Sequence, residues 1–216
     1  MKLYCISGLG ADERAFQRLD LSQFKVIYVQ WIDNLPNESL VSYAHRLSAI
    51  IDDAEPFALM GLSFGGMLAV EISKFKKPAY LILLSTIVHV SEKPFRMKIF
   101  GKMGFYKYIP SRYFTRPSKI AHRLFGANKP SEKALLNQIL EDSDPIYIKW
   151  ALGAISKWVN ESPVEAIRIH GTKDKLFPMD KSFKGHLIAG GGHLMVITHA
   201  NQVSEIIRTE CHDVDI

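Results

Sequence analysis

The chain has 216 residues, 47% of them apolar, enough to bury one substantial core but not two separate ones. It carries a net charge of +5, only two cysteines, Cys5 and Cys211, and no run approaching 18 apolar residues. This composition excludes a disulfide framework and a membrane-spanning helix; with an N-terminal apolar run of five residues it predicts no secretory leader, reduced thiols and a cytoplasmic protein.

Lys2 to Ser7 reads as a short apolar strand, and "GLGADERAF" is expected to turn from it into a helix with Ala15, Phe16 and Leu19 on one face. Phe24 to Trp31, rich in β-branched and aromatic residues, reads as a second strand. From Ser39, a natural N-cap, Leu40, Tyr43, Leu47, Ile50 and Ile51 recur at helical spacing. Phe57 to Leu62 is a strand-like apolar run, Gly66 to Phe75 a helical one, and Tyr80 to Leu84 a strand again. Strand and helix alternate strictly up to Ser85.

The pattern then changes for about 75 residues. Residues 86–160 hold 13 Lys/Arg against 5 Asp/Glu and read as helical segments broken at Pro94, Pro110, Pro117, Pro130 and Pro145. Between Lys93 and Lys129 there are ten Lys/Arg and no acidic residue, interleaved with Phe95, Phe100, Phe105, Tyr106, Tyr108, Tyr113, Phe114 and Phe125. The first expectation is that these aromatics pack inward while the basic residues form a solvated face. Alternation resumes with strands at Ala166 to His170 and His186 to Ile188, and a helix near Ala200 to Thr209. The chain is thus predicted to be α/β, a doubly wound, mostly parallel sheet of about six strands built from residues 1–85 and 161–216, with 86–160 as a helical cap insertion.

Against that frame three short motifs take on meaning. Gly61-Leu62-Ser63-Phe64-Gly65 places a serine where a strand gives way to a helix, at the edge where open α/β sheets carry their chemistry. The two glycines leave room for the close approach such a turn forces, and the helix N-terminus behind Ser63 supplies free N–H groups and a positive dipole end. A lone serine hydroxyl is a poor nucleophile, so a base and an orienting carboxylate are required. His170-Gly171-Thr172-Lys173-Asp174 sets Asp174 just past one strand, and Gly192-His193 sets His193 just past the next. Glu92, a few residues beyond the strand ending at Leu84, is a rival for the acid. His199 and His170 read as a helix start and a strand end, and Cys5 as core.

These motifs, in the order Ser63, Asp174, His193, make the sequence resemble the α/β-hydrolase superfamily over nearly the whole chain outside the insertion. The resemblance implies an oxyanion loop at Ser7-Gly8-Leu9-Gly10-Ala11-Asp12, with the backbone N–H groups of Leu9 and Phe64 as the oxyanion hole. Ser7 stands where many members carry histidine, and the loop lacks the glycine run of some lipases. The expected activity is hydrolysis of a small ester or thioester, carried out by Ser63, His193 and Asp174 without cofactor or metal. A carbon–carbon bond hydrolase or lyase using the same residues, or a binding protein on the same scaffold, is the alternative. The partner is expected to be a small molecule, anionic if the basic segment lines the entrance, and not a nucleic acid. No pattern in the sequence specifies an oligomeric state.

Overall fold

The structure is a computed structural model describing residues 1–95, 97–99, 104, 108–179 and 182–212. Arg96, Phe100, Lys102, Phe105, Tyr106 and Lys107 of the basic segment lie outside the described residues.

Six apolar segments pair as β1 (Lys2–Ile6), β2 (Lys25–Tyr28), β3 (Phe57–Leu62), β4 (Tyr80–Leu84), β5 (Ile167–Gly171) and β6 (His186–Ile188). Every pairing is parallel, in the order β2-β1-β3-β4-β5-β6. All six residues of β3 are buried, as an unbroken Phe-Ala-Leu-Met-Gly-Leu run demands of a strand covered on both faces. The order reverses between β1 and β3, so a crevice opens past their carboxyl ends. Those ends lead to Gly8-Leu9 and to Ser63-Phe64.

The helices are α1 (Leu40–Leu47), α2 (Phe64–Ser73), α3 (Lys119–Phe125), α4 (Pro130–Asp142), α5 (Pro145–Lys157), α6 (Met195–Thr198) and α7 (Ala200–Glu210). Alternating residues of each strand divide the core. Tyr4, Ile6, Leu59 and Leu83 face one side, with α1, α2 and α5, whereas Leu3, Cys5, Met60, Ile82 and Leu84 face the other, with α7. The sheet is therefore doubly wound, as the sequence predicts. Ser39 caps α1 as expected, its side chain accepting from Ser42 N–H.

Some local expectations are corrected. The helix anticipated after β1 is only a 3-10 turn, Glu13–Ala15, because the Ala11 carbonyl that a helix would use accepts instead from Trp31 Nε1 at 2.7 Å and Ser7 Oγ at 2.5 Å. Ala15 N–H turns to Asp12 O, and Ala15 and Phe16 are still buried. Strand β2 is shorter than expected, and α1 gives way after Leu47 to a 3-10 turn, Ser48–Ile50, that leaves Ile50 exposed. Helix α2 starts at Phe64, two residues before the predicted Gly66, so Ser63 abuts its first turn.

The long connection from β4 to β5 is tied into the core. Pro130 and Pro145 each open a helix, where a missing N–H costs nothing. Ala151, Ala154, Ile155 and Trp158, on or just after α5, pack with α1 and α2. Trp158 Nε1 donates to the buried Glu71 at 2.7 Å, and Trp150 Nε1 to Glu38 O at 2.9 Å. Lys93, far from being a solvated charge, is buried, with its ammonium donating to the carbonyls of Ser156 and Trp158 at the end of α5. Burial, reinforced by Lys98, pushes its pKa down to about 8.

The first turn of α2 lies directly on the end of β1. A Cβ built on Gly65 would stand 2.2 Å from Ser7 O and 2.3 Å from Ile6 O, both backbone atoms that cannot step aside. Replacing Gly65 by alanine is expected to lower the unfolding free energy by at least about 2 kcal/mol, at the upper end of overpacking costs, as read by urea titration. A change below about 0.5 kcal/mol would show that strand and helix are not held in this contact.

Candidate active site

Ser63 joins β3 to α2 with φ 53 and ψ −114, a conformation that non-glycine residues rarely adopt. Its backbone is held on both sides. Ser63 N–H donates to Leu84 O at 2.9 Å, extending the ladder with β4 past the end of β3, and Ser63 O accepts from Gly66 N–H, Met67 N–H and Thr86 Oγ1. The bend swings the side chain off the sheet edge, and a Cβ on Gly61 would strike Gly65 and Gly66 at 2.5 Å, so only glycine lets the helix fold back over the strand.

The other two chemistry-bearing residues arrive from neighbouring strands. Asp174 follows β5 in a tight turn in which its Oδ1 accepts from Leu176 N–H at 2.8 Å and Phe177 N–H at 2.9 Å. His193 follows β6 after Gly190-Gly191-Gly192, a loop that crosses back against Gly171 and begins with Gly190 at φ 77. The His193 ring reaches Asp174 Oδ2 from Nδ1 at 2.8 Å and Ser63 Oγ from Nε2 at 2.8 Å. Ser63, His193 and Asp174 form one unbroken hydrogen-bonded row.

Protonation follows from the surroundings. Burial works to raise the Asp174 pKa, but the His193 ring and the Phe177 N–H outweigh it and hold the carboxyl below its ordinary 3.8. A carboxylate only accepts, so the shared proton sits on His193 Nδ1, and in the neutral ring Nε2 accepts from the Ser63 hydroxyl. The side chain of Asp174 is wholly shielded from solvent and that of His193 nearly so. Phe125 and Phe177 close in on the imidazole edge-on, each with its ring centre 5.5 Å away.

Glu92 does not meet His193. It pairs with Arg168 through both oxygens, at 3.0 and 2.9 Å, and accepts from Val88 N–H. Leu9 and Phe64 flank the crevice on either side of Ser63: a Cβ on Gly8 would lie 3.7 Å from Ser63 Cβ, and Phe64, as the first residue of α2, has no intrahelical acceptor for its N–H. Sequence reasoning missed Thr86, which grips the Ser63 carbonyl; His170 lies at the strand end expected of it, and its Nε2 donates to Phe177 O at 2.8 Å and lies 3.5 Å from Asp174 Oδ2, contacts that the sequence did not foretell. Cys5 is buried and its thiol pushed up in pKa by burial, as befits core packing. His199 abuts the start of α7. Among the described residues no three His, Cys, Asp or Glu gather as metal ligands, and no helix is long and apolar enough to cross a membrane.

A cavity of about 450 Å³ opens above Ser63 and His193. It straddles the sheet edge. Leu9, Phe64 and Ile155 wall it on the α1 side, and Ala15, Leu62 and Ile139 on the α7 side. Of the basic residues between Lys93 and Lys129 that are described, Arg116 alone lines it, lying over the Tyr113 ring at 4.8 Å.

No protein-family model and no curated protein matches the sequence. Solved structures do resemble it. A thermophilic esterase from Thermogutta terrifontis, solved with malate bound, superposes at a TM-score of 0.75 with 17% identity, over 100% of this chain and 91% of the other. A hydrolase from Oleispira antarctica gives 0.72 at 15% identity, over 98% and 91%. A bromoperoxidase from Bacillus anthracis gives 0.69 at 16%, over 98% and 92%. The chain is thus similar in fold to proteins whose names carry different activities, so the fold by itself selects none of them.

Burial, the larger influence, lowers the His170 pKa below its ordinary 6.5 despite the nearby Asp174. An unfolded chain therefore takes up this proton first. The stability gained by keeping His170 neutral is complete above about pH 6.5 and is lost as pH falls through the window below it. The thermal midpoint should drop between pH 7 and pH 5, and His170→Gln, which keeps a donor for Phe177 O, should make that drop shallower. An identical slope in both proteins would remove His170 from the account.

Proposed function

We propose that this chain, an α/β hydrolase by fold, is a serine hydrolase that cleaves a small carboxylic ester or thioester through an acyl-enzyme on Ser63. The observation that carries this reading is the unbroken row from Ser63 Oγ through His193 to Asp174 Oδ2, 2.8 Å at each step. On this reading residues 86–160 act as a cap over the site.

In the proposed reaction the Ser63 Oγ bonds to the substrate carbonyl carbon while its proton passes to His193 Nε2. The electron pair of the carbonyl moves onto oxygen, and the N–H groups of Leu9 and Phe64 hold that charge, each worth roughly 3 to 4 kcal/mol where such donors have been removed elsewhere. The pair returns, the bond to the leaving alcohol or thiol breaks, and His193 gives the leaving group its proton. Water then repeats the sequence on the acyl-serine. Asp174 stays ionised, fixing the Nδ1–H tautomer and steadying the imidazolium. An anionic group on the substrate would find the guanidinium of Arg116 at the cavity wall.

A fluorophosphonate probe should label Ser63 and leave Ser63→Ala unmodified, as judged by intact mass and peptide mapping. Labelling without turnover of any p-nitrophenyl ester or acyl thioester would favour the carbon–carbon hydrolase or lyase reading, and failure to label would favour a binding protein.

The choice of acid gives a second test. Asp174→Asn should lower kcat by about three to four orders of magnitude, the scale of losing the correct imidazole tautomer in serine proteases. Glu92→Gln, which removes only the Arg168 pair, should cost less than about tenfold in kcat while lowering the melting temperature. The opposite ranking, in variants with native circular dichroism, would move the acid to Glu92.

A further inference from the structure

The cavity above Ser63 has two unlike ends. On the α7 side it closes against Ala15, Leu136, Ile139 and Ile197, each less than 7% exposed and none carrying a polar side-chain atom. On the α5 side it shares Met97, Leu124, Leu152, Ile155 and Leu176 with an adjoining groove, which adds Ser156 and the exposed Lys175 to its lining. Among the described residues, Arg116 and Glu132 are the charged groups on the cavity wall. Glu132 Oε2 accepts from the N–H groups of Asn128 and Lys129 at 2.9 Å and is taken up by the turn that opens α4, while the four residues of the closed end add no polar side-chain atom.

From this asymmetry we propose that the substrates are medium-chain aliphatic acyl esters or thioesters, with the chain in the closed arm and the leaving group in the arm that opens past Leu152 and Ile155. The inference rests on the hydrolase reading for its chemistry, though not for its binding geometry. A blind apolar arm favours a group that gains from losing water and is made of nothing but methylenes. The leaving group must depart after the first half of the reaction and water must enter for the second, which suits the open arm. Size bounds the chain: at about 450 Å³ the cavity lies toward the small end of the range of small-molecule sites, which suits a medium rather than a long acyl chain.

The experiment is calorimetric titration of Ser63→Ala, which cannot turn over, with the methyl esters of butyric, hexanoic and octanoic acids. Each methylene buried should tighten binding about fourfold, so octanoate should bind on the order of a hundredfold more tightly than butyrate. Ile139→Trp in the Ser63→Ala background should abolish most of that gain by filling the closed arm, and Leu135→Trp, one position from Leu136 on a less buried site, serves if the first variant does not fold. Affinity that changes less than about fivefold from butyrate to octanoate, or a chain-length gain that survives the tryptophan, overturns the assignment. Because the titration needs no nucleophile, chain-length-dependent binding in Ser63→Ala together with an inert wild type would sink the hydrolase reading while leaving the arm assignment standing.

Discussion

Everything in the site depends on one sharp turn, the bend at Ser63 where a fully buried strand reverses into a nearly fully buried helix. A non-glycine residue at φ 53 and ψ −114 costs about 1 to 3 kcal/mol. What holds it there is burial. Phe64, Met67, Leu68, Val70 and Ile72 of α2 are each at most 1% exposed, and each such side chain contributes about 1.5 to 3 kcal/mol when taken from water. The packing of α2 exceeds the strain several-fold. Straightening the bend would lift that whole face off the sheet, so the strained conformation is the least costly one available. The carbonyl of Ser63 is gripped by three donors, which leaves the side chain as the freest part of the residue.

The same economy governs the connection between β4 and β5. Its helices are not a loose cover, because polar anchors fix α5 at both ends. Asp144 caps its start by accepting from Ile146 N–H, while Lys93 and the Trp158–Glu71 hydrogen bond hold its finish. A lysine buried without a carboxylate is costly, and here the C-terminal carbonyls of a helix, the negative end of its dipole, take the place of the missing anion. One face of α5 therefore joins the core through Ala151 and Ala154 while another, through Ile148 and Leu152, walls the cavity. Stability and cavity shape are set by the same helix.

How far the site could be read from sequence follows from which interactions are local. Phe57 to Leu62 was legible to the residue because an unbroken apolar run leading into a Gly-x-Ser-x-Gly turn has few other fates. The placement of Asp174 and His193 was legible because each follows a strand in a turn-rich stretch, and Asp174 caps a turn within three residues of itself. Glu92 could not be set aside from sequence, since what occupies it is Arg168, 76 residues away. The missing first helix has a similar cause: Trp31, twenty residues downstream, takes the carbonyl that helix would have needed. Lys93 looked like one more surface charge in a basic tract, and only the tertiary position of α5 buries it.

The β4–β5 connection and His193 are also bound together. Helix α3 ends at Phe125, whose carbonyl accepts from Leu194 N–H at 2.9 Å, one residue past His193. The next residue, Gly126 at φ 76, presses on Gly192, where an added Cβ would come within 3.1 Å of its Cα. The Phe125 ring itself stands edge-on to the imidazole, as does that of Phe177 from the Asp174 loop. The histidine loop, three glycines long and with little side-chain bulk to fix it, thus takes its position from an aromatic pair, one ring supplied by the loop after β5 and the other by α3 of the β4–β5 connection. Two consequences follow from that division. Helix α3 cannot be removed without loosening the ring that joins Ser63 to Asp174, and any group that enters the cavity along Leu124 and Phe125 must press against the same helix that steadies His193.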